Sequence, residues 1–174
     1  MSKLYVVRHA EPEVAGVLLG RTDPPLSVAG RTNAAAQLAE LDVRIVYSSP
    51  LRRCRETAGA IGAPLVVLDN LAEIGLGEWD GLSWSEVERR YPELARVKVE
   101  DWFRVTPPGG EPWDAFAARV REALGVILAG PLPAAVVGHL AANAVLAESL
   151  WGEDAYGFRQ AYCEVREFEP GSGK

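Results

Sequence analysis

The stretch KLYVVRHAEPE, residues 3–13, sets a short apolar run directly against Arg8 and His9. A continuous apolar run of this length has the form of a strand buried on both faces, as a parallel sheet requires. The same form returns in AAVVGH, residues 134–139, which ends in His139, the second of the chain's 2 histidines. Working outward from these two runs, strand-like and helix-like segments alternate. Ser27 is placed to cap a helix over VAGRTNAAAQLAEL (28–41), with Gly30 weakening its first turn. RIVYS (44–48) reads as a strand, and Pro50 then sits at the N1 position of a helix over LRRCRETAGAIG, closed by Gly62. PLVVL (64–68) is a further short strand. Residues 69–110 are less regular, with one helix expected after a Ser83 cap and a breaker segment at VTPPGGEP (105–112). A long helix over 113–128, a helix from about 140 to 150 and an edge strand in YCEVREFE (162–169) complete the pattern. Such alternation predicts an α/β fold, a three-layer sandwich with a mostly parallel central sheet flanked by helices. Residues 1–174 are expected to form a single domain.

Composition narrows the functional classes. Hydrophobic residues make up 48% and charged residues 24% of 174 residues, which describes a globular chain rather than a disordered one. No apolar run approaches the roughly 18 residues of a membrane span, and the first residues lack a signal peptide's basic-then-apolar layout. Two cysteines, Cys54 and Cys163, fit a reducing compartment, so a cytoplasmic location is expected. The net charge of −6 argues against nucleic acid as the main partner. Within that acidic balance the RRCR cluster at 52–55 stands out, a pattern suited to a small anion held in one pocket.

In open α/β sheets, ligands bind beyond the carboxyl ends of the strands. His9 and His139 each lie just past such an end, which places both at one rim. A metal site lacks support, because no HxH, HxxxH or HxxE spacing accompanies these histidines. A serine-triad hydrolase lacks its GxSxG turn. PGSGK (170–174) lacks the upstream glycine and following helix of a phosphate loop. An anion site remains, in which arginines neutralise a phosphoryl group while a neutral imidazole acts as nucleophile.

At these residues the sequence resembles the histidine phosphatase superfamily, the phosphoglycerate-mutase-like fold. VVRHAEPE resembles its RHG signature, and GRTDPPLSVAG (20–30) the segment leading into its first helix. YSSPLRRCRETA (47–58) resembles its S-S-P-L-x-R-A-x-x-T-A stretch, and LAEIGLGEWDGL (71–82) its L-x-E-x-x-x-G-x-W-x-G stretch. PPGGEPWDAFAARV is similar to the later G-E-S block, and VVGH to the strand before the second histidine. Ala10, Pro12 and Leu140 depart from the pattern, and are expected to bear on which ester binds.

The resemblance implies roles. His9 matches the histidine that becomes phosphorylated, His139 the second histidine beside it, and Glu73 the proton donor to the leaving oxygen. Arg8 and Arg53 match the arginines that clamp the phosphoryl group, while Thr22 is a further phosphate contact and Arg21 approaches the substrate. The implied activity is metal-independent phosphomonoester hydrolysis through phospho-His9, with no cofactor and a small phosphorylated metabolite as partner. Segment 76–116 is expected to form a lid or wall over the site. The short interval between Glu73 and His139 favours the phosphatase branch, and GRTDPPLS looks similar to the alpha-ribazole phosphatase type. A cofactor-dependent phosphoglycerate mutase and a non-catalytic phospho-ligand-binding module are the alternatives. Neither nucleic acid nor membrane is expected as a partner, and the oligomeric state stays open, a homodimer included.

Overall fold

In the computed structural model, which describes residues 3–170, the two histidine-terminated runs are neighbouring strands. β1 (Leu4–Arg8) pairs in parallel with β4 (Ala134–Gly138), Leu4 opposite Ala134 and Arg8 opposite Gly138. That register sets His9 and His139 side by side, each one residue beyond its strand. β2 (Ile45–Ser48) runs parallel to β4, and β3 (Leu65–Val67) parallel to β2 at one edge. β5 (Val165–Phe168) closes the other edge, antiparallel to β1, which gives the order β3-β2-β4-β1-β5. Residues 171–174 of the PGSGK segment lie outside the described residues.

Successive side chains of a strand point to opposite faces, so a strand buried on both sides feeds two cores. Leu4, Val6, Ala134 and Val136 pack against α5 (Trp113–Ala129) and α6 (Leu140–Trp151), meeting Phe116, Val120 and Val145. Val7, Val46, Ala135 and Val137 pack against α1 (Val28–Leu38) and α2 (Arg52–Gly59), meeting Ala34, Leu38 and Cys54. This is the three-layer arrangement expected from the alternation. Phe116 is fully buried in the first core, and truncating such a ring to alanine costs roughly 3–5 kcal/mol.

Three local features refine the sequence reading. Ser27 caps α1, its hydroxyl accepting from the Gly30 amide at 2.9 Å. Gly30 is there for proximity: a Cβ on it would stand 2.2 Å from the Glu11 carbonyl oxygen, so α1 crosses directly over the chain leaving His9. Second, α2 begins at Arg52 with Leu51 as N-cap, so Pro50 precedes the cap and does not occupy N1. The start is set from outside the helix, where Asp23 Oδ1 accepts the Arg52 amide at 2.6 Å. Third, the helix opened by Ser83 is two helices, α3 (Trp84–Arg90) and α4 (Pro92–Glu100). Pro92 opens the second, and Tyr91 before it leaves the helical region, at φ −133 and ψ 56, because a residue preceding proline is disfavoured there.

Around these helices Leu76, Trp79, Val87, Ala95 and Val105 form a small core of their own. Gly77 (φ +52) lets it close, because a Cβ there would meet the Pro108 carbonyl oxygen at 2.1 Å.

Candidate active site

His9 and His139 meet at the carboxyl end of β1 and β4 with ring centroids 5.2 Å apart. His9 Nδ1 donates to the Ala10 carbonyl oxygen at 2.7 Å, since a carbonyl can only accept. This fixes the tautomer and leaves the lone pair on Nε2. Burial, followed by the charges of Arg53 and Arg8, pushes the His9 pKa down to about 3, against the opposing Ala10 hydrogen bond. His139 is fully buried as the N-cap of α6, with Nε2 2.7 Å from Ser49 Oγ and 3.3 Å from Cys54 Sγ. Burial, then His9 and Arg53, lowers its pKa well below the ordinary value. Both imidazoles are therefore neutral near pH 7.

Two guanidinium groups flank the histidines. Arg8 Nη1 donates to the Gln160 carbonyl at 2.6 Å, and the guanidinium lies 4.3 Å from the centre of the Tyr162 ring. Arg53, in the first turn of α2, is 1% exposed. Its Nη1 donates to Thr22 O at 2.8 Å and its Nη2 to Gly20 O at 3.0 Å, while Asp23 stands 3.8 Å away. Buried donors are almost always paired, yet Nε of Arg8 and Nε of Arg53 are both buried without an acceptor among the described residues. An oxyanion brought between them would supply what both N–H groups lack.

Glu73 supplies a carboxyl to the same place. Its Oε1 accepts from the Ile74 amide at 3.0 Å, and its Oε2 from the Ala141 amide at 3.3 Å, in the first turn of α6. Burial nevertheless raises its pKa, with these two hydrogen bonds and the two arginines working against it. Arg119 of α5 fastens the loop that carries this residue. Its Nη1 donates to Asn70 O and Ala72 O, both at 2.8 Å, and its Nη2 to Glu73 O at 3.2 Å. Glu111 holds the other side of the Arg119 fork, with contacts of 2.7 and 2.8 Å.

Arg8, His9 and Glu73 open onto a cavity of about 600 Å³, walled mainly by apolar and aromatic groups such as Leu76, Trp102, Phe103 and Trp113. Arg53 and His139 are buried and are not among the lining residues. Arg21 and Thr22 are exposed and are not among the lining residues. Their amides, with that of Gly20, donate to the Asp80 carboxylate at 2.7–3.0 Å. Through this loop Thr22 offers Arg53 its carbonyl, and Arg21 adds to the positive field that depresses His139. Among the described residues, no group of three or more His, Cys, Asp or Glu side chains is arranged to hold a metal ion. No helix among them is long and apolar enough to cross a membrane.

The profile of the histidine phosphatase superfamily (branch 1) matches residues 4–174. The chain belongs to this superfamily. It is 34% identical over 139 residues to a bifunctional protein of Mycobacterium tuberculosis, covering 74% of this chain and 38% of that one. It is 37% identical over 130 residues to phosphoserine phosphatase 1 of Hydrogenobacter thermophilus, covering 70% and 62%. It thus spans less than two thirds of these relatives' own length, 38% of the first and 62% of the second. Among solved structures, alpha-ribazole phosphatase of Shigella flexneri superposes with a TM-score of 0.87 at 22% identity, covering 98% of this chain and 91% of that one. A mycobacterial glucosyl-3-phosphoglycerate phosphatase superposes with a TM-score of 0.82 at 25% identity, covering 95% and 89%.

In this superfamily member the departures from the signature fall in different places. The Ala10 methyl is buried in the core under α1 and α2, and its amide donates to Thr57 Oγ1 at 2.9 Å. Pro12 is buried in a bridge to Leu26. Neither lines the cavity, whereas Leu140 does. Ser49, Tyr162, Arg119 and Lys98 escaped the sequence reading. Ser49 meets His139 only through the fold, 90 residues away in sequence. Arg119 was legible only as a cation on the otherwise apolar face of α5, beside Phe116 and Val120.

Proposed function

We propose that this superfamily member hydrolyses phosphomonoesters through a phosphohistidine on His9. The observation that carries the reading is the commitment of His9 Nδ1 to the Ala10 carbonyl, beside two buried guanidinium Nε–H groups that lack acceptors. The ester's phosphoryl oxygens lie against Arg8 and Arg53, and His9 Nε2 attacks phosphorus as the bond to the leaving oxygen breaks. Arginines there neutralise charge on the equatorial oxygens, so the step requires no metal. Glu73, whose pKa burial raises, is the proton donor to the leaving alkoxide. The resulting carboxylate then takes a proton from water as that water attacks the phosphohistidine, which releases phosphate and restores both groups. His139, neutral and anchored on Ser49, contacts the phosphoryl group from the far side of His9. Arg21 and Thr22 act at the rim, Thr22 through the carbonyl that orients Arg53.

The partner in this reading is a small phosphorylated metabolite, with 76–116 as the wall over the site within one domain spanning 1–174. Buried, unpaired Cys54 and Cys163 favour a reducing cytoplasm. Phosphate release from 4-nitrophenyl phosphate in the presence of a chelator tests the reading. Turnover should persist with chelator and vanish in His9→Ala; equal turnover in the variant would contradict it.

A further inference from the structure

Lys98 is the one buried ammonium among the described residues, 5% exposed on α4. Its Nζ donates to the Val105 carbonyl at 2.8 Å and lies 4.5 Å from the centre of the Trp102 ring. An ammonium has three donors, and the described residues give this one a single acceptor and no ion pair. Asp101 acts on it only at longer range, and burial brings its pKa down to about 8. A buried charge left so incompletely paired is costly unless something else completes it. Lys98 and Trp102 line the cavity that also holds Arg8, His9 and Glu73. Apart from Arg159, the rest of the wall is mainly apolar and aromatic: Phe103 and Trp113 stack at 3.8 Å and share a cluster with Leu140 and Phe158.

We propose that Lys98 is a second anchor for the substrate, pairing with an oxyanion carried by the leaving group at the far end of an apolar or aromatic body. The inference rests on the phosphatase reading, since it takes the phosphoryl group to lie at His9. The cavity of about 600 Å³ admits a body far larger than a phosphoryl group. The aromatic wall favours a flat or greasy one, and the spare donors of Lys98 select for an acceptor beyond it. Lys98 is thereby a specificity-determining residue with no part in the bond-breaking step.

The test compares 6-carboxy-2-naphthyl phosphate with 6-methyl-2-naphthyl phosphate, and 4-carboxyphenyl with 4-methylphenyl phosphate, for the wild type, Lys98→Met and Lys98→Arg. The wild type should prefer one carboxylated ester in kcat/KM, chiefly through KM. Lys98→Met should lower that preference about tenfold, and Lys98→Arg should restore much of it. Electronic differences between the esters cancel in the comparison of variants. A wild type indifferent to the carboxylate, or a Lys98→Met that keeps the preference or loses both esters equally, would overturn the anchor. Titration of the wild type with naphthylmethylphosphonate, with and without a 6-carboxylate, serves even if Lys98→Met does not fold. About tenfold tighter binding of the carboxylated ligand supports the anchor, and equal binding overturns it. Carboxylate-selective binding without hydrolysis of any ester would remove the phosphatase reading and leave the anchor standing.

Discussion

The His139 ring meets the His9 ring nearly edge-on, at an interplanar angle of 62°. Two imidazoles so close cannot both be protonated without strong repulsion, and burial beside two arginines keeps both neutral. Much of the site's behaviour follows from this pair.

Stability should depend on pH through it. A histidine whose folded pKa is lowered binds fewer protons in the folded than in the unfolded chain, from that lowered value up to about 6.5. Each therefore adds stability as pH rises through this window, by up to about 1.4 kcal/mol per pH unit. Glu73, raised by burial, contributes with the opposite sign above about 4.5. The wild type should lose melting temperature between pH 7 and pH 5, and His139→Gln should lose less. Calorimetry across this range checks it, and a steeper fall in the variant would contradict the account.

Glu73→Gln removes the acid that protonates the leaving oxygen. Hydrolysis of an alkyl phosphate should fall by about 10²–10⁴-fold. In kcat/KM, which reports phosphoryl transfer to His9 and not the later hydrolysis of the phosphohistidine, a nitrophenyl ester, whose leaving group needs no proton, should suffer far less. The alkaline limb of the wild-type kcat/KM profile, where Glu73 ionises, should disappear in the variant, while the acid limb lies well below 6.5 because His9 is depressed. Equal losses in kcat/KM on both esters would remove Glu73 from this role.

Arg119 touches no part of the cavity and acts on Glu73 through the main chain of residues 70–73. Arg119→Met should lower kcat on alkyl phosphates about tenfold with little change in KM. In a Glu73→Gln background the same change should add almost nothing, the non-additivity expected of residues acting as a unit. Additive losses would mean a general structural effect.

Arg53 is enclosed and donates to three backbone carbonyls, of Leu19, Gly20 and Thr22, so its removal strands acceptors as well as a charge site. Arg53→Met should destabilise the fold by about 2–4 kcal/mol. Arg53→Lys should fold better yet stay inactive, since the three donors of one ammonium nitrogen cannot serve the three carbonyls that the guanidinium fork spans and a phosphoryl oxygen as well. Denaturant midpoints with parallel activity assays separate the two effects, and an active Arg53→Lys would contradict the clamp.

How much was visible beforehand varied with the physics of each part. β1 and β4 were legible because strands buried on both faces leave continuous apolar runs, and His9 and His139 followed from the strand-end rule. The start of α2 was not, because Asp23 caps it from a distant loop and no local signal records that contact. Gly30 looked like a weak point of α1, since its packing against Glu11 is a tertiary fact. Arg21 and Thr22 were singled out by pattern, and their amides are taken by Asp80, a contact between distant loops that no local signal records. Lys98 went unremarked because helix periodicity cannot tell a solvated lysine from one closed over by Trp102 and the 101–105 loop.

The central claim is that His9 Nε2 bonds to phosphorus during turnover. Rapid quench of the wild type with a labelled phosphate ester, followed by peptide mass spectrometry under alkaline conditions, tests it most directly. The account predicts an acid-labile phosphoryl group on His9, absent from His9→Gln and accumulating in Glu73→Gln with a nitrophenyl ester. Steady phosphate release with no adduct on His9 at any time would contradict it.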